Sequence, residues 1–316
     1  MSARAGRAAG ALLAAALAFV AFVPAQSADE TATIRVGATG NDTAAEVYYA
    51  QELGLFAKRK LDVKIENLRN GAAEAAAVAG GALDVGEQNV VSMANAHARG
   101  LPFVFVAPAG EYVAAAPTTS LLVGKNSPIR GARDLSGKTI AVNALNDLTQ
   151  IGASAWIDAH GGDASTVRFI EMPPAQIGAA LGRGTVDAGV VPEPSLTLAA
   201  GETRVLGQPY DALAGRFTIN GWFATRDWVA KNPSVAKRFA DAVTEAGRWA
   251  NAHHAESAAI FARHSSADPA VIARMRRATY GERFDLHALQ AVIDAAARYK
   301  VLTHSFPAQE TVAPSS

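Results

Sequence analysis

Cysteine is missing from all 316 residues. That one absence removes disulfides, thiolate zinc sites, cysteine nucleophiles and iron–sulfur clusters together. An excess of either charge is missing as well, since 29 basic side chains stand against 29 acidic ones. No Lys/Arg run carries interleaved aromatics, so the basic face a nucleic-acid binder needs is not written. Gly-x-Ser-x-Gly, the P-loop and Gly-x-Gly-x-x-Gly are all absent, which leaves nucleophile elbows and phosphate cradles without support. Ser234-x-x-Lys237 fits a short serine–lysine pattern, but it follows Asn232-Pro233 at a helix start and has no Ser-Asp-Asn or Lys-Thr-Gly companion. The seven histidines are scattered, and His253-His254 with Glu256 lacks the i, i+4 spacing of a zinc pair. The expectation is a non-enzyme with no catalytic residue, no metal and no cofactor.

Half of the residues are hydrophobic and 18% are charged, enough apolar side chain to fill real cores. At ~150 residues per domain, the length suggests two domains or one large one. Residues 1–27 are read apart from the fold. Arg4 and Arg7 give a positive start, and Ala11 to Val23 is an uncharged run too short for the ~20 residues of a spanning helix. Small residues follow, with Val23/Ala25 or Ala25/Ser27 fitting a cleavage site, so the segment reads as a secretory signal peptide. No cysteine follows for a lipid anchor, and no second apolar run of membrane length exists. The expected product is soluble and exported.

One unit is written twice. Thr33-Ile34-Arg35-Val36-Gly37-Ala38 opens the first copy and Thr139-Ile140-Ala141-Val142-Asn143-Ala144 the second. Each β-branched run ends in a polar loop and a helical pattern, about Thr43 to Leu53 and Asp147 to Ala159. Gly54 and Gly161-Gly162 stand where helices end in a left-handed residue. A second strand follows in each, Leu61–Leu68 and Thr166–Met172, and then a short Ala-rich helix, Ala72–Ala79 and Ala175–Leu181. Gly81-Ala82-Leu83-Asp84-Val85-Gly86 and Gly184-Thr185-Val186-Asp187-Ala188-Gly189 close the two copies. In this hexapeptide the glycine ends the helix, the apolar residue enters the core and the aspartate can hold the turn through backbone bonds. Strand–helix alternation demands right-handed parallel crossovers, so each copy should be a small doubly wound sheet.

In such sheets ligands sit beyond the carboxyl ends of the strands. Two facing sheets would bring four loops around one cleft: Thr39–Thr43, Glu87-Gln88-Asn89, Asn143–Thr149 and Val191–Ser195. Asn, Asp, Ser and Thr are also ordinary helix caps, so capping and cleft lining compete at each position. For the four loops as a set, lining a site is the better reading. Thr39, Asn41, Asp42, Glu87, Gln88, Asn89, Asn143, Asn146, Asp147, Thr149 and Glu193 are the candidate ligand-binding residues. Asn41, Gln88, Asn89, Asn146 and Thr149 are the expected hydrogen-bond partners. Glu193 would fix an N–H of the ligand or of a neighbouring loop.

Ser120–Lys125 and Phe217–Thr225 read as strands bracketing the second copy, so the chain crosses once and returns once over a two-strand hinge. The expected division is 28–120 with 221–316 for lobe 1, and 121–220 for lobe 2. After Trp228 the pattern is helical. Asn232-Pro233 starts a helix with Val235, Phe239, Val243 and Trp249 on its apolar stripe. Asp268-Pro269 starts another, and Asp285 a third with Leu289, Val292, Ile293 and Ala296 inward. These helices are expected on lobe 1, with Phe239 and Trp249 in its core.

Taken together, Ile34-Arg35-Val36-Gly37, Gln51-Glu52-Leu53-Gly54-Leu55-Phe56, the Asp84 hexapeptide, Lys125-Asn126-Ser127-Pro128-Ile129 and Asp134-Leu135-Ser136-Gly137-Lys138-Thr139-Ile140-Ala141-Val142 resemble a known group. They look like the periplasmic substrate-binding proteins of ABC importers, in the subgroup for nitrate, aliphatic sulfonates, taurine and thiamine-precursor pyrimidines. The likeness covers about residues 31–300. It implies the type II periplasmic-binding fold, a periplasmic monomer closing on a small ligand, and docking on the transmembrane subunits of a permease. It also implies that the four loops contact ligand and that Trp222, after Asn220 on the returning strand, packs on the ligand's apolar face. One departure stands out. The loops hold no Arg, Lys or His but do hold Asp42, Glu87, Asp147 and Glu193, so the expected ligand stays a small organic or anionic solute of the sulfonate, nitrate, taurine or pyrimidine-precursor class, shifted modestly toward a neutral or amine-bearing heteroaromatic. The competing readings are a periplasmic sensing subunit that feeds a signalling receptor and, behind it, a periplasmic enzyme on the same scaffold.

Overall fold

A computed structural model describes residues 30–68 and 71–314. The signal peptide read over residues 1–27 lies outside the described residues. Strand β1 (Ala32–Ala38) buries Ile34, Val36 and Ala38, the alternation of a strand with one face on a core. A 3-10 turn and α1 (Glu46–Glu52) follow it, and Gly54, at φ +67°, turns the chain into α2 (Leu55–Lys58). Strand β2 (Leu61–Asn67) returns parallel to β1, with Val36 opposite Ile65. Helix α3 (Gly71–Ala79), β3 (Gly86–Asn89), α4 (Val90–Ala98) and β4 (Phe103–Pro108) complete the first run.

The chain crosses on β5 (Gly110–Val113) and enters the second sheet as β6 (Thr119–Gly124). There it forms β7 (Thr139–Val142), α5 (Leu148–Ala159), β8 (Arg168–Glu171), α6 (Pro174–Gly182), β9 (Ala188–Pro192), α7 (Ser195–Ala199) and β10 (Thr203–Gly207). It returns on β11 (Arg216–Thr218) and β12 (Asn220–Thr225). The remainder is α8 (Arg226–Lys231), α9 (Pro233–Ala252), α10 (His254–His264), α11 (Pro269–Ile272), the short β13 (Thr279–Tyr280) and α12 (Leu286–Arg298). Among the described residues no helix is long and apolar enough to cross a membrane.

Both sheets have one order. The second runs β8-β7-β9-β6-β10, with β6 antiparallel to its neighbours. The first runs β2-β1-β3-β12-β4: a parallel bridge from Val36 to Val85 joins its two hydrogen-bonded pieces, and β12 is the antiparallel strand. Each reversed strand is supplied by chain arriving from the other half. Helices cover both faces of the second sheet. Ile140, Val142 and Val190 pack with Trp156 and Ile157 of α5 on one side, and Ala141 and Val191 pack with Ile177 and Leu181 of α6 on the other. Two lobes of doubly wound type are thus joined by β5 and β11, which pair antiparallel with Tyr112 opposite Phe217. The hinge therefore uses β5 and the start of the expected Phe217–Thr225 strand, while the expected Ser120–Lys125 strand lies within the second sheet.

The duplication is real, but its register differs from the motif reading. Matching Ile34 with Ile140 follows the sequence, whereas the bridges match Val36 with Ile140. From Val36 to its partner Val85 is 49 residues, and from Ile140 to its partner Ala188 is 48. A slip of two residues leaves every side chain on the same face, so the apolar pattern cannot detect it. The repeated aspartates also do more than hold a turn. Asp84 Oδ2 accepts the N–H of Arg35 at 2.8 Å and Asp187 Oδ2 accepts that of Thr139 at 2.9 Å, each clamping the strand beside it.

The C-terminal helices lie mainly against the first sheet. Phe239 of α9 stacks on Phe56, with centroids 5.8 Å apart, and Trp249 is tilted against Tyr49. Helix α12 buries Leu289, Val292, Ile293 and Ala296. It also reaches the second lobe, where Tyr299 Oη donates to Asp158 Oδ2 of α5 at 3.0 Å. Asp84→Ala should destabilise the fold by about 0.5–1.5 kcal/mol, the range for a net hydrogen bond, and Asp187→Ala, whose carboxylate is more exposed, by less. Urea midpoints of the two variants check this, and an unchanged midpoint in both would remove the clamp.

Candidate functional site

The loops after β1, β3, β7 and β9 meet. Thr39 Oγ1 donates to Glu87 Oε2 at 3.0 Å, joining the first loop to the second. Asn89 Nδ2 donates to Asp147 Oδ2 at 3.0 Å, and Asn95 Nδ2 reaches the Asn146 carbonyl at 3.4 Å, joining the second to the third across the lobes. On the far side, Glu193 Oε1 accepts the backbone N–H of Arg276 at 3.3 Å. The neighbouring Arg277 grips Asp42 through Nε, 3.1 Å from each carboxylate oxygen, and so returns to the first loop. Loops from both sheets and the segment before β13 form an arc of contacts along the boundary between the lobes. This is the geometry expected where parallel strands of two facing sheets end.

On the first-lobe wall Glu87 is the focus. Its backbone pairs with Trp222 in β12, and its side chain accepts from Thr39 and from Asn220 Nδ2. The Glu87 N–H donates to Glu74 Oε2 of α3 at 2.6 Å. Burial raises the Glu87 carboxyl, opposed by the Asn220 and Thr39 hydrogen bonds. Burial, and then the charge of Glu87, push Glu74 up to about 8. Glu46 at the start of α1 is raised well above the carboxylate range, chiefly by burial. Among the described residues neither Glu46 Oε2 nor Glu74 Oε1 has a hydrogen-bond partner. Glu74 therefore keeps its proton at neutral pH, and Glu87 and Glu46 are displaced in the same direction by burial.

The candidates divide by what their side chains hold. Thr39, Asn41 and Glu87 come together, with Asn41 Nδ2 donating to Thr39 Oγ1 at 2.5 Å. Asn89 and Asp147 meet across the lobes, although Asn89 Oδ1 also caps α4 through Val91 N and Ser92 N. Thr149 bonds Asn143 within their own loop. Gln88 is buried with its amide on the Gly71 carbonyl. Asn146 is an exposed turn residue at φ +57°. Glu193, at a cis bond to Pro194, caps α7 through Thr197 N at 3.0 Å and meets Arg276.

Two expectations need correction. Trp222 has no exposed surface; it lies in the first-lobe core edge-on to Phe239, with centroids 5.8 Å apart, because its β12 position faces α9 rather than the gap. Asp42 is engaged inward. It holds the Arg277 guanidinium, the Ala278 N–H at 2.7 Å and, through its carbonyl, the Tyr280 hydroxyl at 2.5 Å. It is an anchor for the C-terminal segment. The motif reading also missed Asn220, Glu74 and Arg276. A lone charge in the Ala-rich α3 was the one available sign of Glu74, and the Arg276-Arg277 pair lay in a stretch read only as helix. Among the described residues no group of histidines and carboxylates is arranged to hold a metal ion.

The family model described as NMT1/THI5 like matches residues 41–257. The chain belongs to that family. A curated relative, the taurine-binding periplasmic protein of Escherichia coli strain K12, is 28% identical over 240 residues, which is 74% of this chain and 70% of the relative. Among solved structures, the periplasmic aliphatic sulphonate binding protein SsuA of Escherichia coli aligns with a TM-score of 0.74 at 20% identity, covering 90% of this chain and 92% of that one. The periplasmic nitrate-binding protein NrtA of Synechocystis PCC 6803 aligns at 0.71 and 17% identity, over 89% and 84% of the two chains. The fold is that of these binding proteins.

Within this NMT1/THI5-like chain, the buried acids leave a pH signature. Unfolded Glu74 ionises near ~4.3, whereas in the fold it keeps its proton to about 8. Between those values the native state binds the extra proton, so stability falls as pH rises through the window. Glu74→Gln should flatten this slope, by at most ~1.4 kcal/mol per pH unit, and should be more stable than the parent at pH 8. Melting curves from pH 5 to 8.5 read the difference, and identical slopes would contradict it.

Proposed function

We propose that the protein is an exported, periplasmic solute receptor that captures a small organic molecule between its lobes and hands it to an ABC permease. The observation that carries this reading is the arc of loop contacts around the gap, built from the carboxyl ends of strands in two sheets of one order. Membership of the NMT1/THI5-like family and the names of the relatives support it. The mature chain acts as a monomer, after removal of residues 1–27. It acts without chemistry on its solute.

Closure is driven only by the difference in the ligand's affinity for the open and closed forms. Thr39, Asn41 and Glu87 supply the first-lobe contacts, and Asn143 and Thr149 the second-lobe ones. Their acceptor-rich character favours a neutral or amine-bearing organic solute over a bare oxyanion.

The test is a thermal-shift screen of the mature chain against sulfonates, nitrate, taurine, aminopyrimidines and small aromatic acids. A true ligand raises the midpoint in a concentration-dependent way, following RT ln(1 + [L]/Kd). Thr39→Val should then weaken its binding by roughly 5–150-fold, the equivalent of about 1–3 kcal/mol for one buried hydrogen bond. Calorimetric titration of parent and variant measures this. Equal affinity would remove the first loop from the site.

A further inference from the structure

Two carboxyl groups meet on the first-lobe wall with unequal sets of hydrogen bonds. Glu87 is served at both oxygens: Oε2 accepts Thr39 Oγ1 at 3.0 Å, and Oε1 accepts Asn220 Nδ2. Asn41 Nδ2 donates to Thr39 Oγ1 at 2.5 Å, so the one proton of that hydroxyl is free to point at Glu87. Glu74 has less. Its Oε2 accepts the Glu87 N–H at 2.6 Å, while its Oε1, buried with the rest of the side chain, has no partner among the described residues. The side chain lies against the end of β1, where a Cβ on Gly37 would stand 3.2 Å from Glu74 Cγ.

Donors favour the ionised form of the carboxyl they reach, and burial favours the neutral form. Two neighbouring acids in one enclosure resist ionising together, so a single proton settles on the one with fewer donors, Glu74. The groups around the pair offer no cation. Glu46 and Tyr48 of α1 are its titratable neighbours. Burial raises Glu46 well above the carboxylate range. Burial, Glu74 and Glu87 push Tyr48 up to about 12, so its hydroxyl stays neutral. Arg35 of β1 is paired with Asp84, and Arg277 with Asp42.

We propose that Glu74 is a positioning residue: it holds the proton of this carboxyl pair, leaves the charge on Glu87, and so fits the cleft to a solute carrying one cationic nitrogen. This deepens the receptor reading above and rests on it. A cation held at Thr39 and Asn41 makes the second ionisation of the pair easier, so binding releases the Glu74 proton. The sign of the pH dependence follows. Free Glu74 keeps its proton to about 8. In the complex it loses that proton at lower pH, so between the two values affinity for a cation rises with pH. A neutral solute has no such slope, and an anion has the opposite one.

The test uses the purified mature chain and two probes of one shape: benzamidine, a cation throughout the range, and benzamide, which is neutral. Calorimetric titration from pH 6 to 8.5 should show benzamidine binding more tightly than benzamide. Its affinity should rise with pH by up to ~tenfold per unit, the limit for one released proton. Benzamide should give a flat profile. Glu74→Gln keeps an acceptor for the Glu87 N–H but cannot ionise, so its benzamidine profile should be flat. A flat benzamidine profile in the parent, or the parent's slope retained in Glu74→Gln, overturns the proposal. Carboxyl carbon-13 spectra without solute should show Glu87 ionising before Glu74 as pH rises, and the reverse order overturns it whatever the chain binds. Failure of the receptor reading looks different. The carboxyl order then holds, but neither probe nor any solute of the screen shifts the melting midpoint, which removes the solute selection and leaves the proton assignment standing.

Discussion

In each sheet one strand runs against its neighbours, and that strand comes from the other half of the chain. Strand β6 enters the second sheet from the first lobe, and β12 enters the first sheet on the way back. The second sheet needs the outward crossing for β6 and the first sheet needs the return for β12, so the two small α/β units are tied together by both crossings. Among the described residues, the regular pairing between the crossing segments is that of β5 with β11, extended by two residues of β13. A short antiparallel ribbon bends more readily than a sheet backed by helices on both faces. The tie brings the loops after β1, β3, β7 and β9 together.

The electrostatics of the first-lobe wall follow from the same convergence. Glu46, Glu74 and Glu87 are almost fully enclosed, and among the described residues none of the three forms an ion pair with a basic side chain. Burying isolated carboxylates is costly, so all three are displaced toward the protonated form, Glu74 up to about 8. Arg277 is committed to Asp42 and to Tyr49 Oη at 2.7 Å. That buried pair fastens the C-terminal segment onto the first cleft loop. Removing either partner would leave a buried charge unmatched, which is the costly way to break such a contact. The wall is consequently rich in acceptors and short of free positive charge.

Much of this was legible before any coordinates. The strand–helix order, the left-handed glycines and the inward stripes of α9 and α12 are short-range features, and short-range patterns carry them. The two-residue slip between the copies was not legible, because a strand's side chains repeat every two residues and Ile34 and Val36 are equivalent by pattern. Composition could not place Trp222 either: its face is set by one alternation, and it shares that face with its cross-strand partner Glu87, where both are buried. The polar loop residues were found as a set but not by role. Asp42, Asp147 and Glu193 are alike in sequence, and only the fold shows that the first grips Arg277 while the other two reach across the gap. Glu74 illustrates the remainder, since its partner is a backbone N–H that no side-chain motif records.

The central claim is that one solute is held by both lobes at once. Hydrogen–deuterium exchange, with and without a solute that stabilises the protein, addresses it directly. The account predicts that amides at 39–43, 86–92, 143–149 and 191–197 slow together, along with the β5–β11 ribbon. Protection confined to one lobe, or centred on surfaces away from these loops, would contradict it.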